Sequence, residues 1–191
     1  MEKIKKPTNT GGSWGLTDYV TAEWIRRVIP ASVFDLGCGL GKYEEMIRKD
    51  RGLGVKIDGI DIFKKSVDWL KSARNYNKVF HGDIRYFEYE KYDLGIAGDV
   101  LEHLELHEVE DLLRKFYKEK TFKYLIVVLP LGERPQEACG GNEAEKHLCV
   151  IHESWFIQLC EKIGYNITDR YVATAISETG KYPKMAMMLK R

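Results

Sequence analysis

The stretch Val33-Phe34-Asp35-Leu36-Gly37-Cys38-Gly39-Leu40-Gly41 constrains this chain more than any other, because a short apolar run there meets three alternate glycines beside an acid. An apolar run bounded by glycine reads as a buried strand. Lys42 to Lys49, with Tyr43, Met46 and Ile47 at helical spacing, reads as the helix that follows. Glycines at such a junction let the backbone turn sharply and approach a ligand with no side chain in the way. The spacing is G-x-G-x-G rather than the G-x-G-x-x-G of dinucleotide loops, and Lys42 is followed by Tyr43 where a P-loop needs Ser or Thr.

The segments that follow extend the pattern. Val55-Lys56-Ile57-Asp58-Gly59-Ile60-Asp61 alternates apolar residues and ends in an acid. That acid lies roughly 20 residues beyond the last glycine, where a ribose-binding carboxylate belongs in such folds. Asp61 can accept from both ribose hydroxyls, and it can also cap the helix beginning near Lys64. A third strand, Lys78 to His81, runs into Gly82-Asp83-Ile84, and a fourth, Tyr92 to Ala97, runs into Gly98-Asp99-Val100-Leu101-Glu102-His103-Leu104.

Taken in order from Val33 to Leu129, these segments resemble the Rossmann-like (class I) S-adenosylmethionine-dependent methyltransferases. The resemblance implies a three-layer α/β fold, with a seven-stranded, mostly parallel sheet whose last strand is antiparallel and with helices on both faces. It also implies S-adenosyl-L-methionine as cofactor and S-adenosyl-L-homocysteine as product. Asp35, Gly37, Cys38, Gly39, Gly41, Asp61, Ile62, Asp83, Ile84 and Asp99 then surround the cofactor, with Asp61 on the ribose and Asp83 on the adenine amino group. Cys38 also reads as a small side chain packed beneath the turn.

The remaining periodicities agree with an α/β chain. Val109, Leu112, Leu113 and Phe116 form one helical face, Phe122 to Leu129 a central strand closed by Pro130, and Trp155 to Ile163 a helix that Gly164 can end. Asn166 to Thr174 and Lys184 to Leu189 supply two last strands. Strands and helices alternating in this way imply a mostly parallel sheet, and 191 residues suffice for one domain spanning 1–191, with 1–12 flexible.

Thirty basic against twenty-nine acidic residues give a net charge of +1, so no global field recruits nucleic acid or an anionic membrane. RNA is disfavoured as a partner on that ground. With no signal-peptide core or membrane-spanning run, a cytoplasmic location is expected. Cys38, Cys139, Cys149 and Cys160 lack C-x-x-C spacing, which argues for reduced thiols rather than a zinc site.

Two segments outside the cofactor core are expected to face the methyl acceptor. Residues 13–30 carry Trp14 and an amphipathic helix with Tyr19, Val20, Trp24, Ile25, Val28 and Ile29, which either closes over the cleft or covers the sheet. Residues 130–152 form a long connection after the fifth strand, beside the carboxyl ends where ligands bind, and bring His147 and His152.

Methyl transfer is an in-line displacement, so alignment and desolvation dominate, and an oxygen acceptor must also lose a proton. His103 or His147 can serve as the base, with Asp99 or Glu102 orienting it; alternatively Glu102 and His103 cap the following helix. Asp99, Glu102, His103 and His147 together form a conceivable divalent-metal set. That set resembles the Glu-x-x-Glu-His…His pattern of small-RNA 3′-terminal 2′-O-methyltransferases, with Asp99 in place of the first Glu, and a related segment occurs in ubiquinone-pathway O-methyltransferases acting on catechols. The chain lacks the D/N-P-P-Y/F tetrapeptide of base amino-methylases. O-methylation of a small-molecule hydroxyl without a metal is therefore the first expectation. Metal-assisted methylation of a terminal RNA ribose or a catechol, and a non-catalytic cofactor-binding subunit, are the alternatives.

Overall fold

The computed structural model describes residues 5–7, 15–139, 142–177 and 180–191. Seven strands form one sheet: β1 (Ser32–Leu36), β2 (Lys56–Asp61), β3 (Lys78–His81), β4 (Tyr92–Gly98), β5 (Phe122–Pro130), β6 (Asn166–Ser177) and β7 (Gly180–Lys190). Their order is β3-β2-β1-β4-β5-β7-β6. The first five strands pair in parallel, and β7 is antiparallel to both β5 and β6. Five helices complete the layers: α1 (Asp18–Val28), α2 (Lys42–Arg51), α3 (Lys64–Ala73), α4 (Leu106–Glu119) and α5 (Glu153–Ile163). This is the fold expected from the sequence.

Period-two alternation sorts each central strand between two cores. Phe34 and Leu36 of β1, Leu125, Val127 and Leu129 of β5, and Met185, Met187 and Leu189 of β7 join the α4 and α5 side, where Val109, Leu112, Leu113, Phe116 and Phe156 are buried. Their neighbours Val33, Ile126, Val128, Ala186 and Met188 face the other side, packed by Trp24 and Ile25 of α1 and Tyr43 and Ile47 of α2. Both faces being covered is why β5 reads as an unbroken apolar run.

Helix α1 thus lies on the sheet through Trp24 and Ile25 and leaves Tyr19 and Ile29 exposed. Of the two roles expected of this helix, its packing fits the one that covers the sheet. Trp14 falls outside the described residues. Helix α4 opens with the Glu108 carboxylate accepting from the Glu105 N–H at 3.0 Å, so Glu102 and His103, in a separate 3-10 turn, do not cap it. Helix α5 closes on Gly164 at φ 109°.

Strands β6 and β7 run further than their apolar residues indicate. Their ladder continues to Ser177 and Gly180, although β5 reaches only Lys184. The extension is a two-stranded ribbon beyond the sheet, where no buried face demands apolar alternation.

Candidate active site

The glycine loop joins β1 to α2 with Gly37, Gly39 and Gly41 at φ 65°, 50° and 76°, a left-handed backbone that favours glycine. At Gly37 a β-carbon would fall 2.5 Å from Val100 Cγ2. The loop is tied to β2 at two points. The Cys38 N–H donates to Ile60 O at 3.0 Å, and the Asp61 carboxylate accepts from the Gly39 N–H and the Phe63 N–H, each at 2.7 Å. Asp61 therefore holds the glycine loop and the turn into α3 together, while burial pushes its pKa upward. Cys38 packs with Val67, Leu70 and Val79, and burial holds its thiol well above the ordinary range.

Asp35 departs from its expected role beside the cofactor. It is buried on the α1–α3 side of β1, beneath the loop, where its Oδ2 accepts from the Tyr76 hydroxyl at 2.6 Å. Burial raises its pKa to about 7. A carboxyl raised from its unfolded value stabilises the fold while protonated, and that contribution is lost as pH climbs from about 4 through about 7. Asp35→Asn removes the titration and keeps an acceptor for Tyr76. The variant's melting temperature is expected to gain about 5 °C on that of the wild type between pH 5 and pH 8. Calorimetric scans of the apo protein check this, and parallel curves for the two proteins count against a buried, titrating Asp35.

A cavity of about 620 Å³ opens at the carboxyl ends of β1, β2 and β4. Gly37, Cys38, Gly39, Asp61, Ile62, Asp83, Ile84, Asp99 and His103 line it. A second groove, of about 600 Å³, runs beside α1 and α2, but its charges are largely paired to one another, Arg26 with Asp50 and Arg74 with Glu45. Asp83 is clamped: Arg85 donates to both of its oxygens and also pairs with Glu108. Burial works to raise the Asp83 pKa, but the Arg85 hydrogen bonds and charge outweigh it and hold the carboxyl below its ordinary range.

Another wall of the cavity comes from the connection after β5, through Asn142, Glu143, Ala144, Glu145 and Leu148. Backbone bonds fold this connection onto the 3-10 turn Leu101–His103. The Leu148 and Cys149 N–H groups donate to Glu102 O at 2.9 and 3.3 Å, and the His147 N–H donates to Gln136 O at 3.1 Å. His147 is thereby brought to His103, with ring centroids 5.0 Å apart. Exposed His152 instead precedes α5 and does not line the cavity.

Glu102, His103 and His147 each present a ligand atom within 4.8 Å of the others. Among the described residues no other group of three or more His, Cys, Asp or Glu side chains does so. His103 Nδ1 lies 2.9 Å from Lys146 O and His147 Nδ1 2.6 Å from Arg134 O. A carbonyl only accepts, so each Nδ1 carries hydrogen and each neutral ring keeps its lone pair on Nε2. Burial lowers the His147 pKa and favours that neutral form. Glu102 is buried, its Oε2 has no hydrogen-bond partner, and burial together with the Asp99 charge drives its pKa well up. Asp99 stands outside this group, which corrects the four-residue metal set. Its Oδ2 instead lies 2.6 Å from Lys184 Nζ.

Residues 34–118 match the family model described as a methyltransferase domain. Over this stretch, which holds the glycine loop, Asp61, Asp83 and the segment from Asp99 to His103, the chain is similar to methyltransferase domains. No curated protein matches its sequence. Among solved structures, the methyltransferase domain of bacterial CtHen1 is similar at 20% identity and a TM-score of 0.68, over 93% of this chain and 98% of that one. Magnesium protoporphyrin IX methyltransferase (ChlM) from Synechocystis PCC 6803, with bound SAM, is similar at 18% identity and a TM-score of 0.65, over 92% and 78%. A SAM-dependent methyltransferase from Archaeoglobus fulgidus is similar at 16% identity and a TM-score of 0.63, over 91% and 94%.

The residues present fit S-adenosylmethionine, the cofactor that the resemblance implies. The glycine backbone is open to close approach, Asp61 offers a carboxylate at the end of β2, and the cavity volume suits a ligand of that size. Two residues at the site escape a reading of the sequence. Arg85 is signalled only by its place two residues after Asp83. Lys184 could be noticed as the one charge opening the apolar run Met185 to Leu189.

Proposed function

We propose that this methyltransferase methylates one of two vicinal hydroxyls on a small-molecule acceptor, assisted by a divalent cation held by Glu102, His103 and His147. The observation that carries the reading is the orientation of the two imidazoles. Each gives its Nδ1–H to a backbone carbonyl, which leaves the ring's lone pair on Nε2, and the third member of the set, buried Glu102, has a carboxyl oxygen without a hydrogen-bond partner. Such outer hydrogen bonds to carbonyls are those that fix ligating histidines. A divalent cation there supplies Lewis acidity that lowers the pKa of a hydroxyl in contact with it. The cofactor supplies a methyl carbon activated by its sulfonium.

The chain's own groups do the rest. The Gly37–Gly41 loop and Asp61 hold the donor, while the connection through Asn142 and Leu148 walls the acceptor side against water. This reading replaces the metal-free base first expected of His103 or His147. Glu143 and Glu145 at the acceptor mouth favour a neutral or cationic acceptor over a phosphate chain. A terminal RNA ribose is the second reading, favoured by the Glu102-His103…His147 pattern, which resembles the small-RNA enzymes. His103 at the cavity wall, with His147 against it, argues against a non-catalytic subunit.

Methyl transfer from labelled cofactor is expected with catechol-type diols, to stop on chelation and to return with Mg²⁺ or Mn²⁺. Transfer unaffected by chelation sinks the metal reading. Transfer to an RNA with an intact terminal diol, in preference to free diols, moves the assignment to the second reading.

A further inference from the structure

We infer that Lys184 is a positioning residue that holds Asp99 away from the cation site and so keeps that site to three protein ligands. This inference rests on the metal reading above. Asp99 follows β4 directly and lines the same cavity as His103. Its charge acts on both Glu102 and His147. A carboxylate in that position is itself a natural ligand for a divalent cation.

Two features turn it elsewhere. The Asp99 backbone is left-handed at φ 53°, a conformation that is strained for a non-glycine residue and persists only where surroundings impose it. Its N–H is fastened to Val128 O at 2.8 Å, and its Oδ2 meets the Lys184 ammonium at 2.6 Å. The Lys184 side chain is only 3% exposed and stands opposite Pro130 in the β5–β7 register, so the cation is delivered from within the sheet rather than from solvent.

The consequence concerns coordination. An ammonium-paired carboxylate is largely neutralised as a ligand, leaving one carboxyl and two imidazoles. A six-coordinate cation held by three protein ligands keeps three open positions, and two hydroxyls of an acceptor occupy two of them. A fourth protein ligand leaves only two. Lys184 thus keeps one position open beyond the two that the acceptor hydroxyls take, at the expense of metal affinity.

Co²⁺ serves as the probe, with calorimetry for affinity and the visible d–d bands for coordination. Wild type is expected to bind one Co²⁺. Lys184→Met is expected to bind about tenfold tighter with an altered spectrum, and adding Asp99→Asn to it restores the wild-type bands. Asp99→Asn alone, which does not depend on the folding of the lysine variant, is expected to keep the wild-type bands. Unchanged bands in a folded Lys184→Met, or bands altered by Asp99→Asn alone, overturn the inference while leaving the metal reading intact. Co²⁺ that does not bind wild type, or binds His147→Ala equally well, overturns that reading and the inference with it.

Discussion

Asp61→Ala is expected to weaken S-adenosylmethionine binding by about 100-fold or more, since hydrogen bonds to a charged group contribute about 1.5–3 kcal/mol each. The carboxylate has two tasks that fail together. It accepts from the Gly39 and Phe63 N–H groups, so its loss frees the glycine loop from the turn into α3. It is also the acid at the end of β2 that can receive ribose hydroxyls. Asp61→Asn separates the two: an amide keeps one acceptor, so it is expected to hold the loop partly and to bind with intermediate affinity. Isothermal titration measures both, and circular dichroism confirms that the sheet survives. Wild-type affinity in a folded Asp61→Ala removes Asp61 from the cofactor site.

The central sheet was legible in the sequence because its strands are covered on both faces or alternate cleanly, as Phe122 to Leu129 and Phe34 to Leu36 do. The glycine loop was legible because left-handed backbone at Gly37, Gly39 and Gly41 demands that residue type. Other features depend on contacts that local sequence does not encode. Asp35 is adjacent to the loop in sequence, but strand alternation turns it toward Tyr76, 41 positions away. Asp99 fits a ligand pattern, yet Lys184, 85 positions on, claims its carboxylate. The β6–β7 ribbon carries no apolar signal along its outer half because that half buries no face. Helix α1 has the apolar stripe of either a lid or a sheet cover, and only its packing against Tyr43 and Met188 decides between them.

His147→Ala is expected to lower turnover by about 10³-fold, several kcal/mol of barrier, and to make the residual rate insensitive to Mg²⁺ or Mn²⁺. The magnitude follows from where the side chain stands. His147 comes from a connection far in sequence from Glu102 and His103, and it completes their set across the 5.0 Å gap between the imidazoles. Without it two ligands remain, too few to hold a divalent cation firmly. Glu102→Gln tests the same site from below: it keeps volume and burial, removes the ionisable oxygen that has no hydrogen-bond partner, and is expected to cost a similar factor. Cofactor affinity should be unchanged in both variants, because neither side chain lines the cavity beside the glycine loop and Asp61. His152→Ala, on an exposed histidine before α5, provides the control and should turn over normally. If His147→Ala loses activity and cofactor binding together, the histidine supports the cavity wall instead of a cation. If its residual rate still responds to metal, the cation sits elsewhere.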